Sequence, residues 1–159
     1  MPIRAAQLQD KNTLSDLIHT ANQAVAQQFH ITYENNPKHP SFYTPEWVES
    51  DFQRREQYFI YQQDGKAIGC VAYEKPNAEL AYLNRLSVLP EYQRQGVGEK
   101  LVRHIIQLAQ AEQVKQISIG VIGEHAVLHR WYQKLGFQDS ERKQFAHLPF
   151  SVQLMLYSC

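Results

Sequence analysis

The sequence predicts an α/β chain of seven strands and four helices in the order β-α-α-β-β-β-α-β-α-β-β. Three observations carry this. Apolar residues alternate through short runs such as Ile117, Ile119 and Val121, which suits strands. A broad apolar stripe (Val97, Leu101, Ile105 and Leu108, with Val102, Ile106 and Ala109 beside them) suits a helix lying on a sheet. Between these patterns, residues 88–98 read V-L-P-E-Y-Q-R-Q-G-V-G, a strand stopped by Pro90 and followed by two glycines that lead into a helix.

In order, residues 3–6 open with a short strand. Asp10 is placed to cap a helix reaching about residue 28, with Leu14, Leu17, Ile18, Ala21 and Val25 on one face. Residues 30–43 carry two prolines and no period, and form a loop rich in His, Tyr and Phe. Thr44-Pro45-Glu46 is a helix start: a hydroxyl cap, proline at the first helical position, then an acid. That helix is expected to end near residue 55. Asp64-Gly65 sits between two apolar runs, 58–62 and 66–75, as a hairpin turn. Pro76-Asn77 turns the chain into a strand over 80–88. A helix follows over 98–113, then a strand over 117–121 and a helix over 125–135, with Gly136 at a left-handed C-terminal position. Residues 140–146 and 152–157 form a last strand pair around H-L-P-F.

Composition narrows the function. At 159 residues the chain reads as one domain, 1–159, with enough length to bury a core. Sixteen basic and sixteen acidic residues cancel, which argues against a broad nucleic-acid or membrane-surface footprint. The opening residues lack a signal-peptide core, and no apolar run approaches spanning length, so a cytoplasmic location is expected. Cys70 and Cys159 offer no disulfide framework; Cys70 falls in an apolar strand and reads as a small buried hydrophobe. No His/Cys cluster has metal-ligand spacing, so no metal is expected.

The glycine pair is the chemical signal. Gly96 and Gly98 remove side chains where backbone N–H groups can close on an anion, and the helix start adds unpaired donors. The alternative is a tight strand-to-helix turn with no ligand. G-x-x-x-x-G-K-[ST] is absent, which excludes a P-loop. The dinucleotide fingerprint lacks its third glycine and its acidic residue.

Gln93-Arg94-Gln95-Gly96-Val97-Gly98 fits Q/R-x-x-G-x-G/A, and residues 128–137, L-H-R-W-Y-Q-K-L-G-F, look like L-Y-x-K-x-G-F. The two stand in order, with one helix and one strand between. The chain resembles the GNAT superfamily of N-acetyltransferases in both motifs and in element order; the specific matches cover about residues 80–137.

The resemblance implies a mixed central sheet of about seven strands flanked by about four helices. It implies a splayed strand pair whose gap takes the pantetheine arm of acetyl-CoA. The main chain of Leu86, Ser87 and Val88 would pair with that arm. Gln93, Arg94, Gln95, Gly96, Val97 and Gly98, with Glu99 and Lys100, would hold the diphosphate through N–H groups. Arg94 either pairs with a phosphate or is a solvated loop residue. The Glu99 carboxylate would repel phosphate, so its side chain is expected to point outward. Tyr132 occupies the family's tyrosine position and either protonates the departing thiolate or is a core aromatic. His125 stands where many relatives have asparagine; it either contacts the cofactor or begins the helix.

The implied reaction is direct attack of a primary amine, from a small molecule or peptide, on the thioester. Candidates for handling the amine's proton are Glu79, which otherwise reads as a solvated strand end, and Asn84. A bulge in this strand would turn Tyr82 or Asn84 toward the substrate, and simple alternation places Asn84 on one face with Tyr82, Leu86 and Val88. The acceptor site would be walled by residues 30–43 and 147–150, unless their aromatics only pin the loops. The other functions weighed are transfer of a different acyl group and a non-catalytic acyl-CoA-binding module. A homodimer through the last strands is left open.

Overall fold

The computed structural model describes residues 2–159. Seven strands form one mixed sheet: β1 (Ile3–Ala5), β2 (Gln57–Gln63), β3 (Lys66–Glu74), β4 (Leu80–Val88), β5 (Gln116–Ile122), β6 (Gln138–Gln144) and β7 (Ser151–Ser158). Their order across the sheet is β1-β2-β3-β4-β5-β7-β6, and only β4 and β5 run parallel. The helices are α1 (Lys11–Ala21), α2 (Gln23–Gln28), α3 (Pro45–Gln53), α4 (Val97–Ala111) and α5 (Ala126–Lys134).

The sheet is covered on both faces. Leu14, Leu17 and Ile18 of α1 and Val48 of α3 pack with Tyr58, Ile60, Cys70 and Ala72 on one side. On the other, Leu101, Val102, Ile105 and Ile106 of α4 and Tyr132 of α5 pack with Val71, Tyr73, Ala81, Leu83, Ile117 and Ile119. Cys70 is fully buried as expected, and burial pushes its thiol up to about 12, so it stays an inert hydrophobe. Leu101 is completely enclosed where α4 crosses β3, with its side chain against Gly69. Leu101→Ala is therefore expected to cost about 2–5 kcal/mol by removing contacts and leaving a cavity. Urea unfolding of the two proteins measures it.

Local signals act largely as read. Asp64 and Gly65 both have positive φ, 52° and 77°, as a two-residue hairpin of the primed kind requires. The Thr44 hydroxyl accepts from the Trp47 N–H at 3.2 Å and starts α3. Gly136 takes φ 108° just past α5. β6 is exposed along its whole length, and its charged residues suit an edge strand.

Two expectations are corrected. The first long helix is two, because Asn22 interrupts it: its Nδ2 donates back to the Ile18 carbonyl at 2.7 Å, competing with the helical ladder. Asp10 flanks α1, but its carboxylate does not cap it. It accepts instead from the Gln7 N–H at 2.8 Å and pairs with Arg4 at 2.9 Å, closing the short 3-10 turn before the helix.

Candidate active site

The parallel pair β4/β5 is the origin of the site. These strands are in register only from Leu80↔Gln116 to Tyr82↔Ser118; beyond Tyr82 they part. β4 continues for six more residues paired with β3 alone, and β5 continues paired with β7 alone. The split leaves a wedge with an unpaired strand edge along residues 83–88. Peptide groups there need partners, so such an edge can receive an extended ligand as a strand would. Leu86 and Val88 pack toward the α4 side, and Ser87 is buried on the opposite face.

At the mouth of the wedge the chain turns through a 3-10 turn (Pro90–Tyr92) and then into α4. Gln93 closes this turn by donating from Nε2 to the Val88 carbonyl at 3.1 Å. Arg94 and Gly96 both have left-handed backbones, φ 64° and 83°. Gly96 is the residue before α4, which begins one position earlier than expected, at Val97. A Cβ built on Gly96 meets no atom beyond its chain neighbours within 4 Å, so this position is open. Arg94, Gln95 and Gly96 are exposed and Val97 is buried, which anchors the helix start to the core. Glu99 points away, as expected: it pairs with Arg103 one turn on, at 3.3 Å. Lys100 reaches the Tyr61 hydroxyl at 3.5 Å rather than the loop.

Gly98 has a second, packing role. A Cβ there would lie 3.4 Å from the Trp131 indole. α5 thus docks against the first turn of α4 through Trp131, and the next residue, Tyr132, enters the cluster shared by Leu83 and Val97 with Ile119 and Val121 on the far side of the wedge. Tyr132 is 5% exposed and packs edge-on against Trp131 and Phe137. Burial pushes its phenol well above the ordinary tyrosine range, so the proton is held throughout neutral pH. Among the described residues no fully buried side-chain oxygen lacks a hydrogen-bond partner, and no protein group bonds this hydroxyl.

His125 begins α5. Its Nδ1 accepts from the Leu128 N–H at 3.3 Å, and its ring lies 5.4 Å from that of Phe29. Burial pushes its pKa down, which favours the neutral ring whose lone pair the cap uses. The helix-starting role expected of His125 is thus present.

The proton-handling candidates fall elsewhere. Glu79 lies just before Leu80, at the end where β4 and β5 are still paired, and its exposed carboxylate meets Lys115 at 3.2 Å. The structure does not bring it to the open part of the wedge. Asn84 is placed by a bulge. The β3/β4 register shifts between Cys70↔Ser87 and Ala72↔Asn84, so β4 carries one extra residue there. Arg85 lies in it with φ 53°, a left-handed backbone that costs a non-glycine residue about 1–3 kcal/mol. The bulge corrects the alternation: Asn84 does not share a face with Leu86 and Val88. It turns toward α3 and donates to Glu56 at 3.1 Å and to Glu74 at 3.4 Å.

Around the bulge lies a buried polar group that sequence reading missed. Asp51 and Glu56 are each 2% exposed. The Arg85 guanidinium pairs with Glu56, lies 3.4 Å from Asp51, and donates to the Tyr58 hydroxyl at 2.7 Å. The Tyr43 and Tyr58 hydroxyls donate to Asp51, the latter at 2.6 Å. Arg54 bridges both carboxylates at 2.6 and 2.9 Å. Burial pushes the Glu56 carboxyl up, against the downward pull of Arg85. A signal existed: an arginine amid L-N-R-L-S-V, in an otherwise apolar strand, demands a carboxylate partner.

The loops over the wedge pack on each other. Ile31, Phe29 and Phe42 meet Leu148, Phe150, Ile122 and Val152. These aromatics pin the loops, as one of the two readings held.

The fold matches that of solved acetyltransferases. The PaiA N-acetyltransferase of Thermoplasma acidophilum in complex with coenzyme A superposes with a TM-score of 0.79, at 19% identity, over 99% of this chain and 98% of that one. A GNAT family acetyltransferase of Elizabethkingia anophelis with acetyl-CoA bound gives 0.64, at 17% identity, over 73% and 84%. The Acetyltransferase (GNAT) family matches residues 22–137, and the chain belongs to that family. The [Ribosomal protein bS18]-alanine N-acetyltransferase of Escherichia coli is 31% identical over 98 residues, 59% of this chain and 66% of that relative. The matches span no more than about two thirds of the length of such curated relatives. Among the described residues there is no group of three or more metal-ligating side chains, and no helix is long and apolar enough to cross a membrane.

Proposed function

We propose that this protein transfers the acetyl group of acetyl-CoA to a primary amine, by direct attack with both substrates bound. The observation that carries the reading is the split of β4 from β5 beyond Tyr82, ending at the left-handed Gly96 before α4. The diphosphate sits on the amides of residues 94–98, with Arg94 free to pair with it, and the pantetheine arm lies along residues 86–88. Holding amine and thioester in line lowers the barrier by roughly 7–11 kcal/mol. Main-chain N–H groups of Leu86 and Val88, on the edge away from β3, stabilise the oxyanion. Tyr132, protonated and on the helix beside the wedge, supplies the proton to the leaving thiolate. His125 caps α5 and lines the pantetheine side. Asp51 and Glu56 are each held by guanidinium and hydroxyl or amide donors, so the amine's proton is left to solvent.

The acceptor is a small-molecule or peptide amine. The Escherichia coli relative is named for N-acetylation of an alanine in a ribosomal protein, which puts peptide amines first in a panel. Titration calorimetry with coenzyme A and acetyl-CoA, followed by thiol release across peptides and small amines, tests the reading. Saturable binding of both and thiol release with at least one amine are expected. Tight binding with no turnover would support a non-catalytic acyl-CoA-binding module, and no binding would end both.

A further inference from the structure

The kink in β4 sits where the wedge opens, and a strained arginine occupies it. Without the extra residue, a one-position slip would send residues 86–88 to the opposite faces. Ser87, now buried beside Asn22, would then be driven into the apolar cluster where Leu86 and Val88 sit. The conformation is tied down from two directions. On the backbone side, the Ser87 hydroxyl donates to the Arg85 carbonyl at 3.0 Å and accepts from Asn22 Nδ2 at 3.4 Å. On the side-chain side, the guanidinium is held by Glu56 and Asp51 and lies 5.6 and 5.8 Å from the ring centres of Tyr43 and Tyr58.

Two arginines and two carboxylates make this group neutral, yet burial makes it a poor choice for stability alone. Buried ion clusters can often be replaced by apolar side chains of similar volume with no loss, or a gain, in stability. What they supply that apolar residues do not is direction: fixed angles and distances from donor to acceptor. The direction here sets a strand kink, and the next peptide units are those that face the wedge.

We propose that Arg85 is a positioning residue for acyl transfer: clamped by Glu56 and Asp51, it fixes the β4 kink so that the N–H groups of Leu86 and Val88, which face away from β3, are aimed at the thioester carbonyl. The inference rests on the acetyl-transfer reading above. It places the dependence of the reaction in a side chain that touches neither substrate, on the α1/α3 face of the sheet.

The test is the double variant Arg85→Met/Glu56→Met, with Glu56→Gln beside it. Melting temperature, calorimetric affinity for free coenzyme A, and kcat and KM for acetyl-CoA are measured on each. The double variant is expected to melt within a few degrees of the parent and to bind coenzyme A within about fivefold, since the diphosphate cradle lies beyond Pro90. Its kcat should fall about 100-fold, the order of losing one oxyanion donor, with KM nearly unchanged. Glu56→Gln keeps an acceptor for the guanidinium and should recover to an intermediate kcat. A stable double variant with parental kcat overturns the proposal, because the group is then scaffold. So does a parallel fall of melting temperature, affinity and kcat in both variants. An inactive parent removes the acetyl-transfer reading and this inference with it; an active parent matched by the double variant removes only the inference.

Discussion

Gly96→Trp is expected to abolish coenzyme A binding while leaving the protein folded. Gly96 has φ 83°, so any side chain there is strained by about 1–3 kcal/mol, which a chain with both sheet faces covered can absorb. A Cβ meets nothing within 4 Å, so the protein itself does not reject the substitution. The bulk of an indole, added at the residue that precedes α4, is expected to block the amides proposed to hold the diphosphate. Calorimetry should show affinity weakened by at least about 100-fold, corresponding to about 2.7 kcal/mol, with circular dichroism unchanged. Gly96→Ala is the companion: the same backbone strain, almost no bulk, and binding kept within about tenfold. Tight binding by a folded tryptophan variant would mean that the diphosphate does not use these amides.

Tyr132→Phe is expected to lower kcat by about 10²-fold or more, the range of general-acid contributions, with coenzyme A affinity almost unchanged. The ring stays, so the edge-on contacts with Trp131 and Phe137 stay, and stability should change little. Only the hydroxyl is lost, and it has no protein partner to leave orphaned. The pH dependence sharpens the prediction. Burial raises the phenol pKa above its unfolded value, so the protonated form persists through neutral and mildly alkaline pH. The wild-type rate should show no alkaline loss from this group below about pH 10, the unperturbed tyrosine value. Equal kcat for the two proteins across the pH range would return Tyr132 to a packing role.

Much of the scaffold is legible because it is written locally. The Thr44-Pro45-Glu46 start, the Asp64-Gly65 turn and the Gly136 stop each depend on a few adjacent residues whose backbone preferences are strong, and each is found in place. The β4 strand runs over Leu80–Val88 as expected, although its alternation is broken at Arg85. The glycine pair was likewise visible as a motif, since a chain turning onto a helix with bare backbone has few other spellings. Asn22 shows the limit. Helical periodicity continues past it, and only the side chain's bond to the Ile18 carbonyl reveals the break.

The sequence by itself determined the order of elements apart from the helix break at Asn22, the strand–glycine–helix turn and the Trp131-Tyr132 segment, because turn chemistry and apolar period act between neighbours. Only the tertiary structure decided the phase of β4 at Arg85, the turning of Asn84 away from Leu86, and the distance of Glu79 from the open strand edge. The first two depend on where Asp51 and Glu56, some thirty residues earlier in the chain, come to rest under the sheet. No periodicity encodes that, because a bulge is stabilised by partners brought together only when the helices and sheet close on each other.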